Sequence, residues 1–255
     1  MSESDVEVRS LTDLSELIDA RRVFDAVWPS GGGATQIQAN LMKAIVHAGG
    51  YASAAYLDDE PVGAAFGFLG SHDHGGQLAV HLHSHMAAVL DPYRDRHIGS
   101  LLKVHQRAWA LDRQIDTIVW TFDPLVRRNA VVNLLKLGVD VDGFEVNFYG
   151  DMDDTINSGD PSDRLFARWR LTSPRAIDAS LGRLVRLNTA ALLSSGRDIR
   201  EVDLPEDIVA LRAVDAQAAA RWRIAVREAL INGFAAGYMI VGVSTSGGYV
   251  LERPS

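Results

Sequence analysis

Three sets of residues in this 255-residue chain have types and spacing that could do chemistry. The first is the hexapeptide Arg94-Asp95-Arg96-His97-Ile98-Gly99 with Ser100 behind it. An apolar run precedes it, and Leu101, Leu102, His105, Ala108 and Trp109 follow at helical spacing, so it reads as strand, tight basic turn, helix. Such a turn gathers backbone N–H groups at a helix N-terminus, where the dipole favours anions, and Arg94 and Arg96 add charged donors. The chemistry implied is phosphate binding, a pyrophosphate in particular. The same residues also fit an ordinary strand-to-helix connection with solvated arginines.

The second set is His81, His83 and His85, which alternate along QLAVHLHSHMAAVL and share one face of a strand. They suit a base or proton relay, with His85 nearest the hexapeptide. With His72 and His74 they suit a metal, and alone they suit a polar, half-exposed sheet face. The third set is acidic and phenolic. Asp123 ends the buried run TIVWTF, where it either binds an amine and accepts its proton or caps the turn before Pro124. Glu145, Asn147 and Tyr149 stand at a spacing of two, which makes Glu145 a second base candidate and Tyr149 either an acid or a packed aromatic. Asp151, Asp153, Asp154, Asp160 and Asp163 make an acidic loop that attracts cations or is merely solvated.

The elements that must position these groups follow from periodicity. A strand over 6–11 leads to a helix capped by Thr12 or Asp13, then to Ser30-Gly31-Gly32-Gly33, a linker or a flap, and to a helix over 35–48. Strands over 51–57 and 62–69 are joined by Asp58-Asp59-Glu60-Pro61, and SHDHGGQ reads as a turn before the histidine strand. Strands follow over 117–122, 144–149 and 165–171, with a helix over 129–137 stopped by Gly138. Helices over 174–181, 205–214 and 217–237 and a hairpin around Ser246-Gly247 complete the chain. The expected class is α+β with a mixed α/β sheet. The last 55 or so residues are too few to stand alone and should pack on the rest.

Composition narrows the partners. Hydrophobic content of 47% and charged content of 23% are ordinary for a globular protein, and the net charge of −8 argues against nucleic acid and suits a cationic amine. The absence of cysteine excludes disulfides, thiolate metal sites and a cysteine nucleophile. An acidic N-terminus without an apolar segment, and no apolar span of membrane length, lead to the expectation of a cytoplasmic protein that does not enter membranes.

At the hexapeptide the chain resembles the GCN5-related N-acetyltransferase (GNAT) superfamily, whose acyl-CoA loop has the form Arg/Gln-x-x-Gly-x-Gly/Ala. Arg94 and Gly99 match the first and last positions, whereas His97 stands where the family has Gly, so its backbone either avoids φ > 0 or strains a His. The run TFDPLVRRNAVVNLLKLGVDVDGFEVNFYGDMDDTINSGDPSDRLFARW resembles a group of predicted GNAT acetyltransferases with no agreed substrate. The resemblance implies a GNAT-like acyl-CoA N-acyltransferase fold with splayed central strands over residues 1–172, and a small C-terminal α/β extension over 173–255. It implies acetyl-CoA or another acyl-CoA as co-substrate, and a small-molecule or protein amine as acceptor; oligomerisation is possible. It implies carbonyl polarisation by the backbone of Val89 and Leu90, and cofactor contacts from Arg94, Asp95, Arg96, His97, Ile98, Gly99, Ser100 and Asn129. His85, Asp123, Glu145 and Tyr149 are the catalytic candidates. The family's usual acid, a Tyr, is replaced here by Leu134, which leaves Tyr149 or solvent to protonate the thiolate. A non-catalytic CoA-binding module is the alternative.

Overall fold

The computed structural model describes residues 6–29, 34–94, 96–150 and 160–254; the side chains of Asp73, His74 and Gln77 also lie outside it. Contacts divide the chain into two compact units between Trp120 and Thr121.

Unit 1 is built on a sheet. β1 (Glu7–Ser10), β2 (Tyr51–Leu57), β3 (Glu60–His74) and β4 (Gln77–Val89) are antiparallel neighbours in that order. β4 then pairs in parallel with β5 (Thr117–Phe122), so the sheet is mixed. The aspartates between β2 and β3 serve as a two-residue turn, with Asp58 and Asp59 at φ of 50° and 63°. The expected turn SHDHGGQ is shorter than its composition suggested: only Gly75 and Gly76 turn, both at positive φ, and the flanking polar residues continue the two strands. Cross-strand pairing from His74 to Gln77 holds residues that propensity alone would assign to a loop.

Alternation sends the even-numbered residues of β2 and β3 to one face. Ala52, Ala54, Tyr56, Ala64 and Phe66, with Met86 and Ala88 of β4, form a core with Leu17, Val23 and Phe24 of α1 (Leu14–Val27) and Met42 of α2 (Ala39–His47). α1 begins at Asp13, whose N–H is taken by the Glu16 carboxylate, the device expected of a capped start. α2 starts at Ala39, four residues later than expected. The opposite face carries α3 (Ile98–Asp112), which approaches so closely that a Cβ on Gly63 would lie 3.1 Å from Ile98 and 3.3 Å from Leu102.

In unit 2, α4 (Arg127–Val131) runs into a π-helical turn, Val132–Leu137, that Gly138 ends at φ 67°. β6 (Asp140–Glu145) and β7 (Arg164–Arg170) pair antiparallel. The strand expected over 144–149 stops at Glu145, because Asn147 turns left-handed at φ 53°. After α5 (Pro174–Ser180) come α6 (Thr189–Ser194) and β8 (Ile199–Val202), which the Arg- and Ser-rich sequence there did not announce. α7 (Ile208–Val214) and α8 (Ala216–Ala235) lead to the expected hairpin, β9 (Met239–Val243) and β10 (Tyr249–Glu252). β8 pairs with β10 to make it a three-stranded sheet. Within unit 2 the Tyr249 hydroxyl donates to the Pro124 carbonyl at 2.9 Å. Among the described residues no helix is long and apolar enough to cross a membrane.

Candidate functional site

In unit 1 the site begins where a ladder ends. β4 and β5 pair only at Leu82 with Ile118 and His83 with Val119, yet β4 continues to Val89. Past that point Ala87 is exposed and Val89 half-buried, although β4 lies inside the sheet. The register against β3 also slips here: Phe66 faces Met86 and Gly67 faces Ser84, so His85 is the extra residue of a bulge. Antiparallel alternation decides which amides of β4 are open. The Leu90 N–H is bonded to the Val62 carbonyl at 2.9 Å, which removes Leu90 as a polarising donor. Val89, one residue earlier, turns its N–H away from β3.

The chain then passes through a single turn, Asp91–Tyr93, into α3. His97 is the N-cap residue and adopts φ 61°, ψ 6°, the strained alternative of the two its position allowed. The N–H groups of Ser100 and Leu101 return to the His97 carbonyl at 2.9 and 3.0 Å. Helix geometry leaves those of Ile98 and Gly99 pointing outward. A Cβ on Gly99 would meet nothing nearer than Val89 Cγ2 at 4.0 Å, so an anion can approach the backbone. Ile98 itself is buried. Arg94 is engaged by Asp91 at 2.6 Å, and the exposed Arg96 guanidinium lies 5.8 Å from the Tyr93 ring centroid. Asp95 lies outside the described residues.

The three histidines do not behave as one set. His81 turns to His72 across the hairpin, Nδ1 to Nδ1 at 3.1 Å. His83 stacks on Phe68 with centroids 4.8 Å apart, and the bulge brings His85 within 5.9 Å of His83. Burial, with the fields of His85, His81 and Lys103, drives the His83 pKa down to about 4, and burial also lowers that of His85. Both rings are therefore neutral near pH 7, as a base must be. Among the described residues no group of three His, Asp or Glu side chains could hold a metal ion, and the His74 side chain lies outside them.

Sequence reasoning missed Lys103. Its ammonium donates to Ser84 Oγ and Gln106 Oε1, each at 2.9 Å, and lies 4.0 Å from the Trp120 ring centroid. Ser84 and Trp120 are the residues of β4 and β5 next after the last paired ones. Burial lowers the Lys103 pKa to about 7. Its position among Leu101, Leu102 and Gln106 gave only the signal of a polar residue on a helix already assigned to packing.

Unit 2 holds the other candidates and gives several of them different work. The Asp123 carboxylate takes two bonds from Arg223, at 2.8 and 2.9 Å, one from Arg212 at 2.8 Å, and the Leu125 N–H at 2.9 Å. Burial would raise its pKa, but the two guanidinium groups outweigh burial and hold it at about 2. Asp123 is thus a fixed anion and a turn cap, and a poor proton acceptor. Asp160 pairs with the same two arginines and Asp163 with Arg227, so these members of the expected acidic loop already have cations from α7 and α8. Asp151, Asp153 and Asp154 lie outside the described residues. Glu145 is exposed at the end of β6, and the turn at Asn147 separates it from Tyr149. Tyr149 instead meets the Thr121 hydroxyl of β5 at 2.9 Å, with the Arg164 guanidinium 5.2 Å from its ring centroid. Asn129 is half-buried in the first turn of α4, and Leu134, where an acid was missing, is fully buried.

No protein-family model and no curated protein sequence matches the chain. Among solved structures it is similar to Naa50 of Arabidopsis thaliana in complex with a bisubstrate analogue, CoA-Ac-MVNAL, at 20% identity and a TM-score of 0.49 over 64% of this chain and 97% of that one. It is similar to an N-acetyltransferase from Staphylococcus aureus Mu50 at 15% identity and a TM-score of 0.49, over 66% and 100% of the two chains. A third is an acetyltransferase of the GNAT family from Streptococcus pneumoniae, at 14% identity and 0.48, over 64% and 98%. These neighbours are acetyltransferases. At such identities and TM-scores they assign no residue of this chain a role, which is left to its own geometry.

Proposed function

We propose that the chain is a GNAT-type acyl-CoA-dependent N-acyltransferase, with residues 1–172 as the acyltransferase portion and 173–255 as an extension. The observation that carries this reading is the open edge of β4 leading directly into the uncapped N-terminus of α3. A diphosphate fits the Ile98 and Gly99 N–H groups with Arg94 and Arg96 beside them. An amide-bearing arm such as pantetheine fits the unpaired edge of β4 as an added strand would. At about 3.3 Å per residue, that arm reaches the bulge after four or five residues. Val89 offers a donor along this path, and neutral His85, with His83 behind it, is placed to take the proton of an attacking amine. Transfer is direct: the amine nitrogen bonds to the acyl carbon as the C–S bond breaks.

Asp123 is reassigned to structure. The second reading is a module that binds acyl-CoA without turnover; it rests on Leu134, a buried residue that offers no acid. The acceptor is an amine of a small molecule or a protein; solved structures similar to the chain include a NatC complex bound to Gag peptide and CoA, and an aminoglycoside acetyltransferase.

The test is thermal shift with acetyl-CoA, CoA and longer acyl-CoAs, alongside an Arg94→Ala, Arg96→Ala double variant. A ligand at a hundred times its Kd should add about 2.7 kcal/mol of stability. A shift that the double variant loses supports the reading. No shift with any acyl-CoA removes it, and a shift without thiol release in the presence of amines leaves the binding module.

A further inference from the structure

Half-buried Lys103 and the buried Ser84 and Gln106 form a cluster at the apex where β4 and β5 part, and nothing in the proposed transfer uses it. It holds more donors than acceptors. The ammonium has three N–H bonds, Ser84 one O–H and Gln106 two N–H bonds, against the oxygens of Ser84 and Gln106. Gln106 is fully buried, and its Nε2, assigned by turning Oε1 to the ammonium, has no partner among the described residues. Ser84 Oγ accepts from Lys103, which leaves its own proton for a further acceptor. A buried donor-rich cluster is stabilised by an electron-rich group brought to it.

The apex is also where the acyl end of an arm laid along β4 arrives, since Ser84 precedes the bulge at His85. Two nitrogen groups thus flank the same point from opposite faces. His83 and His85 lie on the face of Phe68, and Lys103 comes from α3 on the other.

We propose that Lys103 supplies, through the Ser84 hydroxyl, the proton that the departing CoA thiolate needs, in place of the acid missing at Leu134. This rests on the acyltransferase reading above. The amine nitrogen bonds to the acyl carbon, the C–S bond breaks, and the sulfur takes the Ser84 proton while Ser84 takes one from Lys103. The amine's proton leaves to His85, and solvent restores both groups between turnovers. Lys103 acts through Ser84 and is a positioning and proton-supplying residue; Ser84 is the group that meets the sulfur. The groups packed against the ammonium are Ser84 and, through the strand, His83 of β4, Trp120 of β5 and Gln106 of α3. Of these only His83 titrates. A pKa held near 7 by burial fits a donor to a thiol, whose own pKa lies a little higher.

The experiment measures kcat and KM for acetyl-CoA against pH, by CoA thiol release with a panel of primary amines, for the wild type and for Lys103→Met, Lys103→Arg and Ser84→Ala. Thermal shift with acetyl-CoA is read on each. Lys103→Met and Ser84→Ala are expected to keep the acetyl-CoA shift and KM within about threefold while kcat falls on the order of 100-fold. In the wild type kcat should fall as pH rises through about 7, and Lys103→Arg should move that limb upward. The inference is overturned if kcat in Lys103→Met stays within threefold of wild type, or if the alkaline limb is unchanged in Lys103→Arg. Should Lys103→Met not fold, an unimpaired Ser84→Ala overturns it equally. Failure of the wild type itself to bind acetyl-CoA or to release thiol strikes the acyltransferase reading first and is recognised by being present without any substitution.

Discussion

The Arg223 guanidinium grips the Asp123 carboxylate with both prongs, at 2.8 and 2.9 Å, bringing together residues a hundred positions apart in the chain. Both side chains are nearly inaccessible, 3% and 10% exposed, and Arg212 closes the third side. Helices α7 and α8 are thereby tied to Asp123 within unit 2, and a residue whose sequence position suggested proton transfer becomes an anchor.

Truncating one partner should be costly, since it strands a buried charge. Arg223→Met is expected to lower unfolding stability by about 3 kcal/mol or more, and the double variant with Asp123→Asn should recover much of the loss. Urea unfolding of the three proteins checks this; additive losses would show that the pair is not coupled.

Asp123 also sets an acid dependence. Its folded pKa of about 2 lies below the ordinary 3.8, so its contribution is complete above about pH 4 and is lost as pH falls through 2. The loss should amount to about 2 kcal/mol. Stability against pH in wild type and Asp123→Asn is the measurement, and the two curves should converge toward pH 2.

His83 works at a higher pH with the same sign. Its folded pKa of about 4 lies below the ordinary 6.5, so the folded state resists protonation; stability is full above about 6.5 and declines as pH falls toward 4. Because the ring is partly open to solvent, the decline attributable to it should be on the order of 1 kcal/mol. His83→Phe, which keeps an aromatic against Phe68, should flatten that part of the curve.

His97 carries strain that glycine would not. His97→Gly should raise stability by about 0.5 to 1 kcal/mol, because φ 61° is free for glycine, while His97→Val should lower it. Chemical denaturation decides, and a destabilised His97→Gly would mean that the imidazole makes a compensating contact.

Gly99→Ala separates binding from folding. A methyl group there has open space, and alanine favours helix, so stability should hold or rise slightly. The same methyl stands in the path of a phosphate approaching the first turn of α3, so the thermal shift with acetyl-CoA should shrink by an amount corresponding to about a tenfold loss of affinity. An undiminished shift would place the anion elsewhere.

Local physics made much of this chain readable from its residues. The periodicity of α1 and α3, the aspartate and glycine turns, the stop at Gly138 and the strand bearing the histidines are all set by neighbours within a few positions. The turn into α3 at the hexapeptide was legible for the same reason, since a helix start is set by local residues and needs no distant partner. At His97 the residues left two backbone conformations open, and the structure takes the strained one at φ 61°. What the tertiary structure alone decided are the pairings between residues far apart. Cross-strand pairing turned SHDHGGQ into strand, and the turn at Asn147 took Tyr149 out of register with Glu145 and onto Thr121. Arg212 and Arg223 converted Asp123 from a candidate base into a structural anion. Lys103 drew no notice as one lysine on an amphipathic helix. It acquired its character only when packing buried its ammonium between Ser84 and Trp120, because a side chain's pKa depends on what surrounds it in space.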